Sequence, residues 1–263
     1  RATAPITSRR LLGVEPRSVP SLVSCLDSIS LWLAGRASFV VLRSAIARRA
    51  AWRRSLFGVW GRAILRAVAA DLTIVGTPPA RPSVLVSNHV SYLDIAVLAA
   101  CMPAVFVAKA EVRGWPLIGL MSRDMGTVFV RRERKRDLPA VNRAIASALQ
   151  RGETVVVFPA GTSTDGSRVA PFRAPLLAEA AQSGLAVHYA SLRYETLAGD
   201  PPASSAVCWW GDMEFAPHAL DLLGLRGIRA QVVFGTEPVQ DRNRKLLAEK
   251  LWRAVDQIFI PIA

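Results

Sequence analysis

The chain has 263 residues, 51% of them hydrophobic, with 33 Lys and Arg against 20 Asp and Glu, a net charge of +13. Length allows one large domain or two small ones. The composition fills a core and leaves apolar surface over for lipid or another apolar partner. The charge calls for an anionic one: a membrane surface, acidic lipid or nucleic acid. Cys25, Cys101 and Cys208 are odd in number and far apart. That excludes a disulfide scaffold and a cysteine zinc site, and favours a reducing compartment.

Residues 1–19 hold Pro5, Pro16 and the Arg9-Arg10 pair without periodicity and read as a loose or docking tail. No signal-peptide pattern is present. The apolar stretch from Leu22 to Leu42 is broken by Asp27 and Arg36, whereas a membrane span wants about 20 apolar residues with few charges. Residues 20–70 therefore read as two or three helices lying on or partly in a membrane. Trp32, Phe39, Trp52, Phe57 and Trp60 alternate there with Arg36, Arg43, Arg48, Arg49, Arg53, Arg54 and Arg62. Basic amphipathic helices with aromatics suit a lipid interface, with arginines reaching phosphates. The competing reading is a helical layer packed on a sheet, its arginines solvated.

From residue 71 to 263 short apolar strands alternate with helices, the pattern of an α/β layer with a mostly parallel sheet. Strands are expected at Asp71–Gly76, Ser83–Ser87, Ala104–Ala108, Gly126–Val130, Thr154–Phe158, Leu185–Leu192, Ser205–Trp210 and Ala230–Phe234. Helices are expected at Tyr92–Cys101, Trp115–Arg123, Asp137–Arg151 and Arg242–Ile258.

The most informative stretch is Ser83 to Asp94. An apolar strand delivers Asn88-His89 to its end, and a helix follows. Histidine titrates near neutrality and can take a proton from an alcohol, best when a carboxylate holds its other ring nitrogen. Positions five apart cannot share a face of one helix, since each residue turns about 100°. So His89 must stand outside the helix, Asp94 in its first turn, with Ser91 as N-cap. A plainer reading competes: Ser91-x-x-Asp94 also fits an acidic capping box. No Gly-x-Ser-x-Gly elbow is present, and neither Ser91 nor Cys101 is needed as a nucleophile.

Asn88-His89-x-x-x-x-Asp94, followed by Phe158-Pro159-Ala160-Gly161-Thr162, resembles the glycerolipid acyltransferase family related to lysophosphatidic acid acyltransferase. Gly126-Thr127-Val128-Phe129-Val130-Arg131-Arg132 resembles its second motif. Ala108-Lys109-Ala110-Glu111 and Trp115-Pro116-Leu117-Ile118-Gly119 resemble further segments. Trp209-Trp210-Gly211-Asp212-Met213 looks closest to bacterial members that acylate lyso-ornithine lipid. The resemblance runs from about Asp71 to Pro238.

It implies His89 and Asp94 as a catalytic dyad. A fatty acyl group would pass from acyl carrier protein or coenzyme A to a lysolipid hydroxyl, with no cofactor besides that co-substrate. It implies substrate contacts at Asn88, Lys109, Gly126, Phe129, Arg131, Arg132, Ala160, Gly161 and Thr162, with Arg132 on the acceptor's phosphate. Its setting would be the cytoplasmic face of the inner membrane, peripheral or monotopic. Two positions depart from the family. Ala160 stands where it has glutamate, so activity is expected to be reduced or altered, or lost in a lipid-binding member of the same fold. Tyr189 stands where its fourth motif has proline. Nucleic acid is not an expected partner: no helix-turn-helix, zinc-finger or aromatic-platform signature accompanies the charge.

Overall fold

Ser83–Ser87 is buried at every position. A strand with no solvent face needs cover on both sides, and the described chain supplies it. The computed structural model describes residues 8–12, 46–114, 118–131 and 138–263. Its strands are β1 (Ser8–Leu12), β2 (Ala70–Val75), β3 (Ser83–Ser87), β4 (Val105–Lys109), β5 (Val128–Val130), β6 (Thr154–Val157), β7 (Val187–Thr196) and β8 (Ile228–Phe234). Its helices are α1 (Ile46–Ala67), α2 (Leu93–Cys101), α3 (Ile118–Asp124), α4 (Leu138–Gln150), α5 (Ala178–Gln182), α6 (Ala203–Ala206), α7 (Phe215–Gly224) and α8 (Arg244–Ile258).

The sheet order is β1-β2-β8-β7-β3-β6-β4-β5. Strands β7, β3, β6, β4 and β5 all run parallel. β8 lies antiparallel to β7, and β2 pairs parallel with β8. Strands β2 to β8 thus form a mostly parallel seven-stranded sheet, with β1 antiparallel along its β2 edge. Alternation in β3 and β6 sorts their side chains between two cores. Leu85 and Val156 face the side covered by α1, α2 and α7. Val84, Val86, Val155 and Val157 face the side covered by α4, α5 and α8.

Helix α2 is buried at Leu93, Asp94, Ala96, Val97, Leu98, Ala99 and Ala100, because α1 crosses its outer face. That crossing is at backbone distance: a Cβ on Gly61 would stand 2.6 Å from the Ala96 carbonyl oxygen and 2.9 Å from the Ala100 nitrogen. Phe57 stacks on Trp60 at 5.3 Å between ring centroids and meets the edge of Phe106 at 5.4 Å. On the far side of the sheet α8 starts from an asparagine cap, the Asn243 side chain accepting from Lys245 N at 2.9 Å.

Most expected elements are present with ends moved by one or two residues. β7 runs on to Thr196 because the charges at Arg193 and Glu195 alternate with buried Leu192 and Tyr194, the signature of a half-buried strand rather than its end. No strand forms at Ser205–Trp210. Ala203–Ala206 is a helical turn behind Pro201-Pro202, closed by Val207 N and Cys208 N donating to Ala203 O at 3.0 and 2.9 Å. Helices α5 and α7 were not anticipated. Ser8–Leu12, within the stretch expected to be loose, pairs on the open edge of β2. The helices expected over 20–45 and the start of Trp115–Arg123 at 115–117 lie outside the described residues.

Gly61→Val would force α1 off α2. Overpacking at a backbone contact costs about 1–3 kcal/mol, so urea denaturation should show the midpoint falling with an unchanged m-value.

Candidate active site

Strands β3, β6, β4 and β5 end at the same edge of the sheet, where parallel α/β folds gather their chemistry. His89 lies two residues beyond β3, and Asp94 lies in the first turn of α2, as the spacing requires. Asp94 Oδ2 is 2.7 Å from His89 Nδ1 and also accepts from Val90 N at 2.8 Å and Ser91 N at 3.1 Å. The dyad and the capping box are thus not alternatives; one carboxylate oxygen serves both. The N-cap itself is Tyr92 rather than the expected Ser91 and has no side-chain cap; Ser91 Oγ, one residue earlier, accepts from Leu93 N at 3.3 Å. The Asp94 side chain is wholly buried, and His89 keeps 20% of its side chain exposed. An ionised carboxylate only accepts. Nδ1 therefore carries the ring proton, and Nε2 offers a lone pair.

Asn88, expected against substrate, turns inward. Its amide nitrogen donates to Leu192 O at 2.9 Å and its oxygen accepts from Leu192 N at 2.8 Å, which fastens the end of β3 to β7. Only 3% of the residue is exposed.

The Phe158–Thr162 stretch comes to the histidine from β6. The Phe158 ring lies flat on the imidazole, 4.2 Å away at 15°. Phe158 stacks in turn on Phe106 at 6.3 Å, extending an aromatic wall toward α1. The turn after Phe158 needs the left-handed backbone at Gly161, φ +86°. It is pinned by Gly161 N donating to Phe158 O at 3.1 Å and Thr164 N donating to His89 O at 3.1 Å. Ala160 is buried inside this turn, and Thr162 is exposed beyond it. The irregular segment after α6 braces the other side: Trp209 N donates to Val90 O at 2.8 Å, and Ser163 Oγ donates to Trp209 O.

The basic residues stand farther along the same edge. Lys109 ends β4 and Arg131 follows β5; both are exposed. At about 4.8 Å per strand they lie about 10 and 14 Å from the β3 end, the order β3-β6-β4-β5 being fixed. Gly126 takes φ +76° before β5. Phe129 carries the Arg113 guanidinium 5.9 Å from its ring centroid. Arg132 lies outside the described residues.

Rivals for the chemistry are disarmed by their surroundings. His218 is bonded on both nitrogens, at 3.1 Å to the Tyr92 hydroxyl and at 3.1 Å to the Cys208 carbonyl. Burial lowers its proton affinity. Burial also pushes the Cys101 and Cys208 thiols up to about 12, so both stay protonated near neutrality. Tyr189 does not approach the histidine's face of the sheet; its ring packs over Gly235 and joins the core beneath α4 and α8. A cavity of about 390 Å³, lined in part by Gly58, Arg62, Arg81 and Cys101, opens at the end of α2 remote from Asp94. Among the described residues no group of His, Cys, Asp or Glu is arranged to hold a metal ion.

Comparison with known proteins agrees with this arrangement. A family described as Acyltransferase matches residues 72–191, a span holding both dyad members and the Phe158 turn. Lyso-ornithine lipid O-acyltransferase of Pseudomonas aeruginosa is 34% identical over 226 residues, 84% of this chain and 85% of that one. The chain belongs to the acyltransferase family. Another relative is 1-acyl-sn-glycerol-3-phosphate acyltransferase of Neisseria meningitidis serogroup B, 36% identical over 199 residues, 74% of this chain and 77% of that one. The crystal structure of the 1-acyl-sn-glycerophosphate acyltransferase PlsC from Thermotoga maritima superposes with a TM-score of 0.56. It is 19% identical and covers 92% of this chain and 98% of its own, which shows the fold.

Sequence reasoning on this acyltransferase overlooked two neighbours of the dyad. Phe158 was noted as part of a motif but not as the platform for the imidazole. Tyr194 was missed: its hydroxyl donates to Asp94 Oδ1 at 2.8 Å. The available signal was the apolar alternation Leu192-x-Tyr194, since a buried tyrosine needs a partner for its hydroxyl.

Asn88→Ala leaves two buried backbone groups of β7 without partners, at about 1–3 kcal/mol. Its melting temperature should fall, and acyl transfer should weaken as the His89 end of β3 loosens; calorimetry and a thioester assay on the same preparation check both.

Proposed function

We propose that this protein moves a fatty acyl group from an acyl thioester, on acyl carrier protein or coenzyme A, to a hydroxyl of a lysolipid: lyso-ornithine lipid or lysophosphatidic acid. The observation that carries the reading is the 2.7 Å contact between His89 Nδ1 and a fully buried Asp94, with the ring part-exposed. His89 Nε2 takes the hydroxyl proton as the oxygen attacks the thioester carbonyl and the new C–O bond forms. The tetrahedral oxyanion then collapses, the C–S bond breaks, and the leaving thiolate recovers the proton from the imidazolium. Asp94 stabilises that imidazolium while it exists. No acyl-enzyme is required, in keeping with the protonated thiols of half-buried Cys101 and buried Cys208.

Lys109, Arg131 and Arg132 are assigned to the acceptor's anionic head. Guanidinium forks suit phosphate and carboxylate alike, so both acceptors named in the relatives fit them. Gly126, Phe129, Gly161 and Thr162 shape the loops beside them. The basic stretch over residues 20–70 is assigned to the membrane surface, on its cytoplasmic face, in a peripheral or monotopic mode, although Phe57 and Trp60 of α1, expected at the lipid, pack into the core instead. Among the described residues no helix is long and apolar enough to cross a membrane.

Ala160 favours a second reading, a lipid-binding member of the same fold with impaired turnover. A methyl group in the turn beside Phe158 cannot pair with an arginine, a backbone amide or substrate as a glutamate would. An assay of acyl thioesters on both carriers against a lysolipid panel separates the readings. On the first, the wild type turns over and Ala160→Glu is faster; on the second, neither transfers acyl groups.

His89→Ala should lower kcat by about 10²–10⁴-fold, the usual contribution of general base catalysis, with an unchanged circular dichroism spectrum. Activity close to wild type would remove the base from the mechanism.

A further inference from the structure

We infer that Tyr194 is the positioning residue of the dyad: from β7 it holds the second oxygen of the Asp94 carboxylate and so sets the aim of His89 Nε2. The inference rests on the acyl-transfer reading and deepens it, since nothing in the motif itself points to β7.

A carboxylate's orientation is set by the donors on both of its oxygens. Asp94 Oδ2 receives three donors, all from residues 89–91 of its own turn. Those donors belong to the turn, which is tied to β7 through Asn88 and to its neighbours through the carbonyls of His89 and Val90; none of them ties the carboxylate itself to the sheet. Oδ1 sits in a pocket with no solvent exposure, and its donor comes from a residue 100 positions away, the Tyr194 hydroxyl at 2.8 Å. Tyr194 is itself only 1% exposed, so neither partner can trade the bond for water.

The same strand grips the motif a second time. Two residues before Tyr194, the Leu192 backbone holds both ends of the Asn88 amide. Strand β7 thus fixes the residue before His89 through its main chain and the residue that orients His89 through a phenol. Their separation is set by covalent strand geometry, which makes β7 a rigid gauge for the catalytic ring.

The bond also tunes charge. A phenol donor draws negative charge from Asp94 and leaves less for the imidazolium. Removing it makes the couple hold its proton more tightly, and the acid limb of the rate profile moves to higher pH. Other groups facing the couple do not mask that limb. Cys208 senses the charges of Asp94 and Asp165, and Cys101 lies within reach of Tyr194. Both thiols are pushed up to about 12 by burial, and Tyr194 is held well above its ordinary range by burial and by Asp94. Asp165 is held low by its bonds to Ser167, with Arg168 nearby, and stays ionised. His218 titrates below the usual histidine range, buried between Tyr92 and the Cys208 carbonyl.

The test is the pH dependence of kcat/KM for thioester and lysolipid with wild type, Tyr194→Phe and His89→Ala, each checked for folding. Tyr194→Phe keeps the ring and removes one bond to a charged group. We expect kcat to fall about tenfold, each KM to stay within about twofold, and the acid limb to rise by about half a pH unit or more. Should Tyr194→Phe not fold, 3,5-difluorotyrosine at position 194 keeps the bond and strengthens the donor; the limb then moves to lower pH. A loss of activity with the limb in place marks a tyrosine needed only for packing and overturns the inference. So does a fluorotyrosine enzyme with an unmoved limb, or an unaltered Tyr194→Phe beside an inactive His89→Ala. If His89→Ala is itself fully active, the acyl-transfer reading falls first.

Discussion

The Asp94 carboxylate is the point at which local folding and chemistry become one problem. A charged group with no solvent exposure is costly unless every lone pair is met. Here it is met by two amides of its own turn, an imidazole and a phenol. The amides start α2; the imidazole is the base we propose; the phenol ties the carboxylate to the sheet. Were the aspartate a cap alone, an exposed position would serve. Complete burial is what requires the histidine and the tyrosine as partners.

Around that group the fold acts mainly as a set of distances. β3 brings His89 to the sheet edge, β6 brings the aromatic ring on which it rests, and β4 and β5 set the basic residues progressively farther out. The spacing between strands becomes the spacing between the base and the groups assigned to the acceptor's head. Small residues matter for the same reason. Gly61 against Ala96 and Ala100 lets α1 lie directly on α2, so the helix carrying Asp94 is clamped between another helix and the sheet.

Much of this was legible in the residues. Ser83–Ser87 is apolar enough to read as a buried strand, and the five-residue interval from His89 to Asp94 by itself requires one outside the helix and the other in its first turn. The readings that failed did so for a shared reason: they judged a residue by its type where a distant partner decides its role. Asn88 looks like a polar group at a site, yet its partner is the backbone of Leu192. Val207-Cys208-Trp209 looks like a strand, yet it closes a helical turn and then reaches Val90. Asn88 and Tyr194 answer to partners about 100 residues away in sequence, and Trp209 answers to Val90, so no local pattern carries that information.

The reversal of direction between β7 and β8 divides the molecule in two. The parallel half sends its strand ends toward His89. Beyond the reversal β2 and β8 finish at the opposite rim, where Gly76 meets Phe234 and where the segment from Gly76 to Pro82 returns to β3. That rim lies roughly 17 Å from the histidine, the length of a five-residue strand. It carries none of the residues assigned to the base or to the acceptor's head, so a peptide, fluorophore or surface tether placed there would leave those residues untouched.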